Sequence, residues 1–319
     1  MAAWLDESPI GRAFALSAVV TVAMQLFCFV IAATLKFDKI TDFAGSTNFV
    51  VLAVMTLLIA PTPLTTRQVV VTALVCITRL ELAGFLLYRV LKRGKDSRFD
   101  QVREKCCVFL AFWVWQMFWV FFVSASVIYI NGAGYLADDA LTAYDWVGWF
   151  VFAFGFIVQV WSDMDKNSFR SDRANAKKVC DRGLWSWSRH PNFCGEVLMW
   201  IGIYVAGVPV FLASPAGWAT IVSPLFTFGV LTLFTGIPQA EGVNSKRWFD
   251  GGASQQQYEL YFETTAPFWL FPPQLYSKFP KPFKCLLCCE LPMYAFHQPE
   301  LSSFKPDAGP PSEDEEMER

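Results

Sequence analysis

The stretch Gly183–Trp200 reads GLWSWSRHPNFCGEVLMW. Trp185 and Trp187 are aromatics of the kind that gather at a membrane–water boundary. Arg189, His190 and Asn192 follow as a dense polar cluster, and a hydrophobic run begins within a few residues. Pro191 stands where a helix would start, and its missing N–H is no loss there, because the first N–H groups of a helix have no internal partner. A helix from Pro191 places Asn192, Glu196 and Trp200 at i, i+4 and i+8, on one face. The spacing predicts a membrane helix whose mouth carries a carboxylate and a basic pair beside an N-terminal dipole that attracts anions. An interfacial anchor would account for the Arg and Trp but requires neither an inward Asn nor an inward Glu.

The rest of the chain supports a membrane setting. Its 319 residues are 54% hydrophobic and 17% aromatic, with a mean hydropathy of +0.36. The formal net charge of -2 gives no sign of a nucleic-acid partner. Apolar stretches near 13–35, 43–60, 68–91, 107–130, 141–161, 193–213 and 217–237 are long enough, or nearly so, to cross a hydrocarbon core of ~30 Å. The expected fold is an all-α polytopic membrane protein of about seven transmembrane helices. The first stretch reads as a span and not as a signal peptide, because Asp6 and Glu7 precede it in place of basic residues.

Loop charge sets the expected orientation. Lys92, Arg93, Lys95, Arg98, Arg103 and Lys105 crowd one loop, and residues 162–192 carry more Lys and Arg. The alternate loops, 131–140 and 214–216, carry none, and 61–67 has Arg67 alone. The positive-inside rule then puts the N-terminus outside and the C-terminus in the cytosol. No cysteine falls in an outer loop, which argues against structural disulfides.

Within spans, an acid is expensive and marks a site by default. Glu81 is such an acid, with pairing to nearby Arg79 or Thr78 as the alternative. After the fifth span, Asp163, Lys166 and Arg170 keep helical spacing, which predicts that the helix runs on into the cytosol and ends near Gly183. Tyr258 and Tyr261 lie three apart on a second expected helix, ended by Pro272 and Pro273. Cys285, Cys288, Cys289 and His297 look like half a metal site, with acylated or inert thiols as the alternatives. Residues 1–273 read as one membrane-embedded domain, with 141–273 as its cofactor half. Residues 274–319 read as a Cys-containing, acidic cytosolic tail without fixed structure. No GxGxxG after a strand, no Walker motif and no HExxH is present, and there are two His.

Five segments carry a resemblance: FDKITDFAG (37–45), TRLELAGFLLYRVLKRGKDSRF (78–99), DMDKNSFRSDRANAKKV (163–179), GLWSWSRHPNFCGEVLMWIGIY (183–204) and YELYFETTAPFWLFPP (258–273). In this order, over about residues 36–273, the chain resembles membrane proteins of the steroid 5-alpha-reductase family. The resemblance implies a seven-helix bundle in an internal membrane, the endoplasmic reticulum. NADPH would be held at its cytosolic half, and a lipid-like substrate would enter from the bilayer. It implies cofactor contacts by Asp163, Arg170, Lys178, Arg189, His190, Asn192 and Glu196; Lys166 in the same basic cluster and Tyr258 and Tyr261 on the second expected helix are candidates for the same site. Anchored on Arg93–Gly94, the position of the reductases' substrate-polarising Tyr is taken by Glu81. A buried acid favours its protonated form, so Glu81 is the expected proton donor. Phospholipid and isoprenylcysteine methyltransferases use a similar Arg-His-Pro string for S-adenosylmethionine, and a non-catalytic lipid-binding protein on the same fold is a third reading. The expected function is NADPH-dependent reduction of a C=C bond in a lipid-soluble enone, steroid-like or polyprenoid.

Overall fold

A computed structural model describes residues 8–93, 104–175, 178–241 and 253–294. The described chain is helical, with one isolated parallel bridge between Ser188 and Ala266. Among the described residues, six helices are long and apolar enough to cross a membrane. The protein is an integral membrane protein.

The first helix, α1 (Pro9–Leu35), starts on Ser8, whose Oγ accepts the Gly11 N–H, and stops at Lys36 in the left-handed region with φ 50°. α2 (Thr41–Leu58) and α3 (Thr66–Arg93) form an antiparallel hairpin. The fourth expected span divides at Ser124 into α4 (Cys106–Val123) and α5 (Ala125–Ala133). α6 (Ala143–Ser171) begins in a capping box, where Thr142 and Asp145 satisfy each other's backbone N–H groups. The sixth expected span arrives in two pieces, α7 (Pro191–Ala206) and α8 (Val208–Ala213). Pro209 removes the N–H that would carry the helix past Gly207, which is why this segment is not a single long rod. The last span, Pro215–Glu241, opens as a 3₁₀ helix (Pro215–Ile221), continues as α9 (Val222–Gly229) and loosens into a π-turn at Val230–Phe234.

Three corrections follow. α6 does not reach Gly183. It stops at Ser171, because the Asp172 carboxylate takes the Ala174 N–H at 2.9 Å and turns the chain. The helix carrying Tyr258 and Tyr261, α10 (Ala253–Thr264), ends well before Pro272. There the Ala266 carbonyl is drawn onto the Arg189 N–H at 2.8 Å, and Pro267 bars another turn. The expected tail does not begin at residue 274 either. Residues 273–294 form α11 (Pro273–Tyr276), α12 (Lys281–Leu287) and a 3₁₀ turn, with Tyr276, Cys288 and Tyr294 buried. Their aromatic side chains have apolar faces to dock against, which an acidic low-complexity tail lacks.

Small residues join α6 to α7. A Cβ on Gly202 would lie 2.5 Å from the Gly148 carbonyl oxygen, and one on Gly195 would lie 2.5 Å from that of Gly155. The two backbones therefore touch at two levels, a packing available only to helices lacking side chains there. Polar contacts join the other helices. Gln25, Asn48 and Gln116 link amide to amide across α1, α2 and α4, at 3.0 and 2.9 Å. Asn131 holds Thr56 and Thr72. Arg67, counted above as an outer-loop cation, is 1% exposed and bonds Asp145 at 2.6 and 2.9 Å. Its charge is neutralised within the bundle, so the outer loop is less basic than its sequence.

Candidate functional site

The end of α6, the turn around Trp185, the mouth of α7, the end of the last span and α10 converge on a small cleft of about 50 Å³. Six residues named from the sequence line it: Lys166, Arg170, Arg189, His190, Tyr258 and Tyr261. Cys180, Trp185, Glu241 and Phe262 complete much of the wall.

Lys166 lies with its ammonium 3.8 Å from the centroid of the Trp185 ring. The Arg170 Nη1 donates to the carbonyl of Lys178 at 3.1 Å. Lys178 itself is exposed, and the cleft wall does not include it. The Tyr261 hydroxyl donates to the Trp185 carbonyl at 2.6 Å, and burial pushes its ionisation well above the usual phenol range. Tyr258 packs with Val179 and Phe262.

Arg189 differs from expectation. Its Nε donates to Glu241 Oε1 at 2.9 Å, its Nη2 to Glu290 Oε1 at 2.7 Å, and its Nη1 to the Phe262 carbonyl at 3.1 Å. The guanidinium also lies 3.7 Å from the centroid of the Phe262 ring. Burial opposes the charge, but Glu241 and Glu290 outweigh it and raise the pKa, so the group stays protonated. A cofactor contact was expected at Arg189; it lines the cleft as a cation held on two sides by carboxylates. The planar fork of arginine suits that duty. Tyr276 completes the cluster by donating its hydroxyl to Glu290.

His190 Nε2 lies 3.0 Å from Glu241 Oε1, and the ring stacks on Phe193 at 5.2 Å. Burial dominates the Glu241 contact and holds His190 below the usual imidazole range. It is therefore neutral near pH 7, presenting one N–H and one lone pair. The His190–Phe193 stack is a packing contact within the first turn of α7.

Deeper in, α6 and α7 face each other with amides and carboxylates. The Asn192 Nδ2 donates to Asp163 Oδ1 at 3.0 Å. The charges of Arg89, Lys166 and Glu81 act on Asp163, which gathers α3, α6 and α7 around one carboxylate. The Asn192 Oδ1 and Gln159 Oε1 atoms are buried with no hydrogen-bond partner among the described residues. Buried acceptors of this kind point to a donor-bearing ligand or water.

Glu196 does not join the cleft. Its carboxylate bonds Arg79 Nη2 at 2.8 Å and Trp200 Nε1 at 2.8 Å, and Arg79 lies over the Phe49 and Trp200 rings at 5.3 and 5.2 Å. The expected face of Asn192, Glu196 and Trp200 exists, but its carboxylate is an internal tie. Arg79 is thereby taken from Glu81, which stays half-buried two residues on.

Four partners escaped the sequence: Arg79, Glu241, Tyr276 and Glu290. Glu241 had a usable signal, an acid at the point where the last apolar run ends. Glu290 had none, since an acid in a loop near the C-terminus reads as solvated.

The family described as Protein of unknown function (DUF1295) has a model that matches residues 28–265. A protein of Schizosaccharomyces pombe (strain 972 / ATCC 24843), Uncharacterized protein C594.04c, is 24% identical over a match covering 38% of this chain and 44% of its own length. This chain thus spans less than half of that relative. No solved structure matches the chain.

Proposed function

The chain belongs to the DUF1295 family, and we propose that it is an NADPH-dependent reductase of a C=C bond in a lipid-soluble enone, steroid-like or polyprenoid, acting in the endoplasmic reticulum membrane. The observation that carries the reading is the cleft itself. Cations from α6 and tyrosines from α10 line it at the mouth of α7, the helix that also carries the buried, unpartnered acceptor Oδ1 of Asn192.

These residues fit the cofactor at both ends. Lys166 and Arg170 would hold phosphate oxygens, for which charged donors are the strong partners. The Oδ1 of Asn192 would accept from the carboxamide and orient the ring, while Asp163 fixes the Asn192 amide. When bound, NADPH supplies the hydride, and the protein supplies position and electrostatics. Glu81 would hold a proton against the substrate carbonyl, and the apolar helices would keep bulk water from the reacting carbons. Arg189 acts here as a positioning residue, fixing the α7 mouth against α10 and the C-terminal segment.

NADPH should bind more tightly than NADH, because the extra phosphate gains a charge-assisted contact. Such a contact is worth about 1.5–3 kcal/mol, or roughly 10- to 150-fold in affinity. Arg170→Ala should shrink that preference, and salt should weaken it. Calorimetric titration of the purified protein with NADPH, NADH and S-adenosylmethionine checks this. Equal affinity for the two dinucleotides, or binding of S-adenosylmethionine alone, would overturn the reductase reading.

Glu81→Gln should leave NADPH affinity near normal and lower turnover of an enone by about 10²- to 10⁴-fold, the range for a general acid. Unchanged turnover with intact binding would remove Glu81 from the chemistry.

A further inference from the structure

The C-terminal segment packs against the last span at a definite depth. The Tyr294 hydroxyl donates to the carbonyl of Thr232, and Trp269 stacks on Phe228 at 6.2 Å. Ile237, Phe268 and Tyr294 share one buried apolar cluster with Cys194 and Val197 of α7. The last span opens at Pro215 with seven 3₁₀ residues. At ~2.0 Å per residue there and ~1.5 Å beyond, a hydrocarbon core of ~30 Å is crossed near Thr232. The docking point of residues 268–294 is thus the inner edge of the hydrocarbon, on the side of the basic loops.

Much of what this segment shows to its surroundings is apolar. Leu286 is 82% exposed, Met293 54%, Leu287 52% and Leu275 46%. On the last span Phe234, Leu225 and Leu233 are likewise exposed. Lys278 and Lys281 are exposed between them. Apolar side chains at hydrocarbon depth with flanking lysines are the composition of an interfacial element on anionic lipid.

We propose that residues 273–294 form a membrane-inserted element whose partner is the phospholipid surface. Leu275, Leu286, Leu287 and Met293 enter the acyl region, and Lys278 and Lys281 meet anionic headgroups. The same segment carries Glu290 onto Arg189, with Tyr276 bonded to Glu290 behind it, so seating on lipid also holds that cluster together. This stands independently of the reductase reading.

The test is photolabelling of the full-length protein in vesicles of phosphatidylcholine and phosphatidylserine. The probe is a phosphatidylcholine with a diazirine on its acyl chain, and adducts are mapped by mass spectrometry. Adducts are expected on peptides covering Phe283–Leu287 and Met293 as well as on α1. Leu286→Asp combined with Leu287→Asp should lower labelling of the 281–294 region at least about tenfold, given what burial of two leucines is worth, and leave α1 labelling unchanged. Both side chains are exposed, so the double variant takes nothing from the core. Adducts confined to the spans, or cross-linking of this segment to a second protein chain in place of lipid, would overturn the proposal.

Discussion

Arg189→Ala should destabilise the protein by about 3–5 kcal/mol, the range for removing one partner of a buried ion pair. The side chain is 2% exposed and bonds Glu241, itself 4% exposed, and Glu290 at 26%. Truncation leaves the Glu241 carboxylate in a desolvated site, with only the His190 ring and no guanidinium beside it. The loss is read as a drop in the thermal midpoint of the detergent-solubilised protein. Arg189→Lys should recover part of it, because one ammonium cannot serve both carboxylates with a planar fork. Arg189→Met combined with Glu241→Gln should be milder than Arg189→Ala alone, since the more deeply buried carboxylate is then neutral and only the partly exposed Glu290 loses its cation. A wild-type midpoint for Arg189→Ala would show that the carboxylates hold without it. The residue could then be returned to the cofactor.

Gly202→Ala should destabilise the bundle by about 3 kcal/mol, the upper part of the range for overpacking. The added methyl would stand 2.5 Å from the Gly148 carbonyl oxygen and 2.7 Å from the Phe152 nitrogen. Both are backbone atoms, so no side chain can rotate away and α6 must part from α7. Gly84→Ala is the control. A Cβ there meets nothing within 4 Å, and the position lies inside α3, so the substitution should stabilise by about 0.4–1 kcal/mol. Opposite signs for the two glycines, measured by thermal or denaturant unfolding, check the close approach. Equal effects would mean that the two helices do not touch there.

Much of this was legible in the sequence, for a physical reason. Span existence follows from length and hydropathy, which one segment carries alone. The α7 start at Pro191 and the shared helix face of Lys166 and Arg170 are of this kind, since helical spacing determines them, while the gathering with His190, Tyr258 and Tyr261 was expected from the family resemblance. Pair partners are not. Arg79 lies 117 positions from Glu196, and Arg189 lies 101 from Glu290. Nothing local in either residue tells a ligand-facing charge from an ion-paired one. The breaks at Gly207 and Ser171 also escaped, because a hydropathy window averages over the proline and the Asx turn that cause them. Arg67 misled in the same way: read as a loop charge, it is a buried partner of Asp145.

The Arg79–Glu196 tie has a mechanical side. It joins the α2–α3 hairpin to the α6–α7 pair, the first braced by Phe49 against Trp200 and the second fastened by its glycines. Sideways separation of the two hairpins would strand a guanidinium and a carboxylate in a hydrocarbon medium, each a penalty of several kcal/mol. The bundle therefore has a stiff waist. A lipid approaching from the bilayer meets a wall at the depth of Glu196, within the second turn of α7.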